Sequence, residues 1–177
     1  MDPLARPGAA APLFELPDIE GRLYRLRDQR GRTTVLNFWS ADCPWSAHAD
    51  PRVVAAVDGV EADLWTIACC DGEALDHIRQ VATARGLKTV LLDPAQAVAD
   101  AYQAQATPHT FVVDEQGVLR YRGAPDDTGF GFRPATRSYL ADALAALRTG
   151  SLPDPAETPA RGCAIVRRLD PGSKGPD

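Results

Sequence analysis

The chain has 177 residues, 45% of them apolar and 24% charged, and a formal net charge of −5 with His neutral. That size suits one domain with a real core, and a mildly acidic chain argues against an electrostatic nucleic-acid binder. No run approaches the ~20 apolar residues of a membrane helix, and Met1-Asp2-Pro3-Leu4-Ala5-Arg6 lacks the basic start and apolar run of a secretory signal. The expectation is a cytoplasmic chain with no membrane contact, or an extracytoplasmic one if a leader has been removed.

Taken in chain order, residues 6–29 hold short extended pieces and a Glu20-Gly21 turn. Thr33 to Trp39 is short, β-branched and aromatic, and reads as a buried strand. Asp63 to Cys69 is a second strand, Thr89 to Asp93 a third and Thr110 to Val113 a fourth. The Asp114-Glu115-Gln116-Gly117 turn then leads to Val118–Arg122, an antiparallel hairpin at a sheet edge. Helices fill the gaps. Asp71 can cap one that carries Leu75, Ile78, Val81 and Ala82. Asp93-Pro94 can open a short one, and the last runs from about Ala135 to Thr149. Alternating strands and helices predict an α/β fold with a central mixed β-sheet flanked by helices and preceded by short N-terminal strands. Residues 1–150 form the expected domain. Residues 151–177, rich in Pro, Gly, Ser and charge, form a surface-draped or mobile tail.

Chemistry concentrates where the first strand ends. Cys43 sits where the next helix begins, and Pro44 follows at the position where a missing N–H costs a helix nothing. Free N–H groups and the helix dipole favour a thiolate there, which is the nucleophilic form. Asp42 pushes the other way. Cys69 and Cys70 end an apolar run, where small buried packing residues are the plain expectation. No spaced Cys/His set reads as a metal site and no glycine pattern as a phosphate loop, so neither metal nor cofactor is expected.

The segment Phe38-Trp39-Ser40-x-x-Cys43-Pro44-x-Ser46 resembles the active-site segment of the thioredoxin superfamily. More narrowly it is similar to the redoxin branch, which spans AhpC/TSA and TlpA/ResA-like proteins, where Asn-Phe-Trp precedes Cys-Pro-x-Cys. Gly8-x-x-Ala11-Pro12-x-Phe14-x-Leu16 resembles the opening of that branch, and Pro51 stands where thioredoxins kink the active-site helix. Thr107-Pro108 resembles the family's cis-proline loop beside the active cysteine. The resemblance covers roughly Arg6 to Gly150. It implies a thioredoxin-like fold, antioxidant or disulfide chemistry at Cys43, and a groove shaped by Pro44, Trp45, Thr107 and Pro108 that receives an extended partner.

One departure shapes the mechanism. Ser46 replaces the second cysteine of Cys-x-x-Cys. A lone thiol cannot resolve its own mixed disulfide, although the Ser46 hydroxyl can donate to a thiolate one turn back. Cys43 therefore needs a second thiol, in the chain or in trans. Cys163 is the first candidate, because a flexible tail can reach an exposed sulfur at modest entropic cost. Its surroundings, Thr158 to Ile165, resemble a Gly-Cys ending found in one group of bacterial redoxins. Cys70, at the end of its strand, is the second candidate. His109 could tune the sulfur as an imidazolium, though a packing role is the commoner one for it and for His48. His77 is assigned no role.

Three functions follow. The first is thiol-disulfide exchange, with a protein or low-molecular-weight disulfide as substrate and an external thiol as reductant. The second is a thiol peroxidase acting on a peroxide. Ser40 fits the peroxiredoxin pattern, Leu36 breaks it, and Arg120 and Arg122 are its candidate arginines. The third is a thioredoxin-fold binding module without turnover.

Overall fold

A computed structural model describes residues 5–168. Its elements are β1 (Glu15–Pro17), β2 (Leu23–Arg25), β3 (Thr33–Trp39), α1 (Pro44–Asp58), β4 (Ala62–Ala68), α2 (Leu75–Ala84), β5 (Val90–Leu92), α3 (Ala97–Ala101), β6 (Ala106–Thr107), β7 (His109–Val113), β8 (Leu119–Gly123), α4 (Tyr139–Arg148) and β9 (Cys163–Ala164). A five-stranded sheet runs β5-β4-β3-β7-β8. Strands β3, β4 and β5 are parallel, while β7 is antiparallel to both β3 and β8. This is the thioredoxin-like α/β arrangement with a mixed sheet.

The strand with the longest apolar run takes the centre. Six of the seven residues of β3 are buried, as a strand covered on both faces requires. Alternation sends Val35 into a cluster with Val53, Val57, Leu140 and Leu144 of α1 and α4. Leu36 and Phe38 join the opposite cluster, with Trp65, Tyr102 and Phe111. Helix α2 packs Ile78 and Ala82 against Trp39, Ala68 and Val90. The β7–β8 turn closes through Asp114, whose Oδ1 accepts from Gln116 N at 3.0 Å and Val118 N at 2.8 Å.

Three helix starts differ from the sequence reading. Helix α2 begins after Ala74 without a side-chain cap, beyond Asp71, whose N–H donates to Val166 O at 3.0 Å. Helix α3 begins after Gln96, which adopts left-handed backbone, while the Asp93 carboxylate reaches forward to Ala99 N at 2.8 Å. Helix α4 begins after Ser138, whose Oγ accepts from Ala141 N at 3.2 Å. The residues just before it form a separate 3-10 turn at Phe130–Phe132.

The segment after α4 docks along the domain. Glu157 bridges to Arg122 on the outer strand β8. The Thr158 hydroxyl lies 2.7 Å from Tyr121 OH and accepts from Ala124 N at 3.1 Å. The chain then crosses to β9, which pairs antiparallel with β6. Ile165 is buried in the main core cluster. Val166 O accepts from Asp71 N and from Gln96 Nε2.

Candidate active site

Cys43 is the N-cap of α1, with extended backbone and Pro44 in the first turn. The Ser46 N–H donates to its sulfur at 3.4 Å, as a helix start requires of its cap. From the other side the Cys43 thiol donates to the Thr107 carbonyl at 3.0 Å. The Thr107–Pro108 peptide is cis, and the β3–β7 pairing brings Phe38 opposite His109, so the loop before β7 meets the start of α1. Cys43, Ser46, Thr107 and Pro108 therefore come together.

Cys163 joins them. In the β6–β9 ladder Cys163 is the register partner of Thr107, and Ala164 that of Ala106. Burial raises the Cys43 pKa, but the Cys163 thiol, the Thr107 side chain and the Ser46 N–H favour the thiolate and outweigh it, so the net shift is downward. The Thr107 carbonyl accepts from the neutral thiol, and the Ser46 N–H donates to the sulfur. Cys163 moves the opposite way. Burial and the adjacent Cys43 sulfur push it up to about 11. Of the two sulfurs, Cys43 is thus the one favoured as thiolate and Cys163 the one that keeps its proton.

Two sequence expectations are corrected here. Cys43 was expected to be accessible, yet it is 3% exposed, because the tail and Thr107 lie against it. The Ser46 hydroxyl was expected to serve the thiolate, but its Oγ is buried without a hydrogen-bond partner, and the donor is its backbone N–H. Pro44 is exposed and Trp45 half-buried. Trp45 packs its ring against Phe132, 5.1 Å between centroids, and edge-on to Phe130, which is 89% exposed.

His109 does not act on the sulfur as a cation. It lies inside β7, where burial, seconded by the Arg122 charge, lowers its pKa to about 4. Its Nδ1 accepts from Gln105 N at 3.2 Å. His48 stacks on Phe132. His77 holds the Asp42 carboxylate at 2.8 Å. Arg120 pairs with Asp114, and Arg122 with Glu157 and the Ala5 carbonyl.

Cys70 follows Cys69, whose thiol donates to the Trp39 carbonyl at 3.9 Å. The neighbouring Cys69 side chain favours the Cys70 thiolate, burial opposes, and the Val166 N–H adds to the first effect, so Cys70 falls to about 7. Cys69 is correspondingly pushed up, chiefly by the Cys70 side chain and then by burial. Among the described residues no group of three or more His, Cys, Asp or Glu could hold a metal ion, and no helix is long and apolar enough to cross a membrane.

Sequence reasoning missed the supports. Glu73 Oε1 accepts from Ser40 Oγ at 2.6 Å and from Asp42 N at 3.1 Å, fixing the strand-to-helix corner. Buried Asp50 accepts from Trp39 Nε1 at 3.0 Å and Arg85 Nη1 at 3.1 Å, while Arg85 also holds the Ala41 carbonyl. Gly162 enters the sequence reading only as part of a Gly-Cys ending, although a glycine beside a candidate cysteine is also a signal of close backbone approach.

The family model for AhpC/TSA matches residues 7–122. The thiol-disulfide oxidoreductase ResA of Geobacillus thermodenitrificans is 32% identical over 119 residues, covering 64% of this chain and 66% of the relative. The methylamine utilization protein MauD of Paracoccus denitrificans is 29% identical over 147 residues, 81% of this chain and 66% of the relative. The chain thus spans just under two thirds of these relatives' lengths. The crystal structure of an uncharacterised conserved protein from Geobacillus kaustophilus superposes with a TM-score of 0.84 at 27% identity, covering 96% of this chain and 95% of that one.

Proposed function

The chain belongs to the AhpC/TSA family, in the redoxin branch of the thioredoxin superfamily, and from that premise we propose that it is a thiol-disulfide oxidoreductase whose two thiols are Cys43 and Cys163. The reaction has two exchanges. The Cys43 thiolate attacks one sulfur of a substrate disulfide; that S–S bond breaks, and the other substrate sulfur leaves as thiolate. Cys163, after losing its proton to the departing thiolate or to solvent, attacks the Cys43 sulfur of the mixed disulfide. The second substrate thiolate leaves and a Cys43–Cys163 disulfide remains. The substrate has gained the electron pair that the two protein thiols gave up. An external thiol reductant restores them, and the compartment's redox poise sets which form rests.

The observation that carries this reading is the pairing of Cys163 with Thr107, which sets the second thiol against a sulfur that Ser46 cannot serve. Cys70 is the weaker candidate for resolution, because the thiol that acts on it is Cys69. The peroxidase reading lacks a cation at the sulfur, since Arg120 and Arg122 are committed to other partners.

The test is mass spectrometry of the reduced protein after exposure to oxidised glutathione. The wild type should lose two hydrogens and keep no adduct. Cys163→Ser should trap a glutathione adduct on Cys43, and Cys43→Ser should give neither product at this site. A wild-type adduct as persistent as that of Cys163→Ser would overturn the role of Cys163. An unreactive Cys43 would overturn the exchange chemistry.

A further inference from the structure

The tail lies on the cis-proline edge as an added strand does. Thr107 pairs with Cys163 and Ala106 with Ala164 in antiparallel register. This is the geometry by which a sheet edge captures an extended peptide, with main-chain bonds for affinity and side-chain fit for specificity. The occupant places a cysteine against the nucleophile.

The edge also sets a steric condition on its occupant. A Cβ at Gly162 would run into the Thr107 carbonyl oxygen, and would lie 2.6 Å from the Thr107 carbonyl carbon and 3.0 Å from Pro108 N. These are backbone atoms of a buried loop, so they cannot swing aside. The position before the cysteine must therefore be glycine. Two further contacts fix the strand. Ile165 is 7% exposed in the core cluster, and Val166 O takes hydrogen bonds from Asp71 N at 3.0 Å and Gln96 Nε2 at 2.7 Å. Before the cysteine, Arg161 reaches the Thr128 carbonyl at 3.3 Å.

We propose that Arg161–Val166 is an internal copy of the partner: the edge takes an extended polypeptide whose cysteine directly follows a glycine and precedes an apolar anchor, and the tail holds that place between turnovers. The proposal rests on the exchange reading and names its substrate class. Such a partner is a polypeptide, because a small disulfide offers no strand to pair. Its selection is largely exclusion, since any side chain before the cysteine meets the Thr107 carbonyl.

The probe is the hexapeptide Arg-Gly-Cys-Ala-Ile-Val, carried as a mixed disulfide with thionitrobenzoate, beside the same peptide with Val replacing Gly. The Cys43 thiolate attacks the peptide sulfur, the S–S bond breaks, and the coloured thionitrobenzoate anion leaves with the electron pair. The full-length Gly162→Val/Cys163→Ser protein frees the edge. It should react with the Gly peptide at least about tenfold faster than with the Val peptide. It should also react with the Gly peptide faster than Cys163→Ser alone, in which the tail still competes. Should the double variant fold poorly, Cys163→Ser alone reads the Gly/Val ratio. Equal rates for the two peptides, or a freed edge no faster than an occupied one, overturn the inference. Serine versions of both peptides, read by fluorescence anisotropy, separate binding from chemistry. Discrimination in binding with an inert Cys43 sinks the exchange reading and leaves the edge preference standing; reaction without discrimination does the reverse.

Discussion

Two pairs of thiols occupy the same end of the sheet. Cys69 and Cys70 are neighbours in sequence; Cys43 and Cys163 meet across most of the chain. In each pair one sulfur is favoured as thiolate by the side chain of the other. Their settings differ. Cys69 sits in the core cluster with Phe38, Ile67 and Leu91. Cys163 lies on a two-residue strand at the end of a draped segment. A favoured thiolate is thus not by itself a site. What distinguishes Cys43 is a partner thiol brought from far along the chain on a strand that pairs with the cis-proline edge.

The sharpest way to break that comparison is to make the Cys43 partner as local as the Cys70 partner. Ser46 is fully buried with an idle hydroxyl one turn from the sulfur. In the Cys163→Ser background, Ser46→Cys should restore turnover from none to a readily measured rate, because a disulfide within the first helical turn now releases the substrate. Insulin reduction with dithiothreitol as donor is the measurement. Continued accumulation of the mixed disulfide would show that position 46 cannot do the work of the tail thiol.

A smaller effect should follow from loosening the tail. Ile165 anchors β9 in the core, and Ile165→Ala removes about 2 kcal/mol or more of packing. The undocked population should then rise by about tenfold or more, and iodoacetamide should label Cys43 faster in proportion. Unchanged labelling would mean that something other than the tail covers the sulfur. Cys70 loses only the Val166 N–H when the tail leaves, so its labelling should change less.

Local signals in the chain forecast much of this molecule and little of the tail. The apolar run of β3, the Cys43-Pro44 helix start and the Asp114–Gly117 turn each declare themselves within a few residues, and the structure forms all three. The pairing of β6 with β9 does not. Two residues carry no periodicity, and their partner lies far along the chain. The covered state of Cys43 was hidden for the same reason. His109 takes the packing role rather than the imidazolium one, because it lies inside a strand that is buried throughout. Burial there favours the neutral ring, the reverse of an imidazolium.

The comparison also predicts an order in pH. Alkylation follows the thiolate fraction, so each sulfur loses reactivity as the pH falls through its pKa. Cys163 should weaken first, around 11. Cys43 should keep its reactivity below the ordinary 9.0, and Cys70 should keep its own down to about 7. For Cys70 the folded pKa lies below the unfolded one. Its stabilising contribution is therefore complete above the ordinary thiol value of 9.0 and is lost as the pH falls toward about 7. Site-resolved labelling by peptide mass mapping checks the order; Cys163 reacting at lower pH than Cys43 would reverse the assignment of nucleophile and partner.

The smallest expected effect concerns Asp42, the residue before the nucleophile. Adjacency in sequence suggests a carboxylate that raises the Cys43 pKa. The fold turns that side chain away: Asp42 is 70% exposed and held by His77 Nε2 at 2.8 Å. Water screens a charge so placed, and such exposed pairs are worth about 0–1 kcal/mol. Asp42→Asn should therefore move the Cys43 alkylation midpoint by less than about half a pH unit. The Asp42 N–H is a separate matter, because it donates to Glu73 at the strand-to-helix corner and the substitution keeps it. A shift of a full unit would mean that the carboxylate acts on the sulfur through space, and that the Cys43 thiolate owes less to Cys163 than the pairing of the two thiols implies.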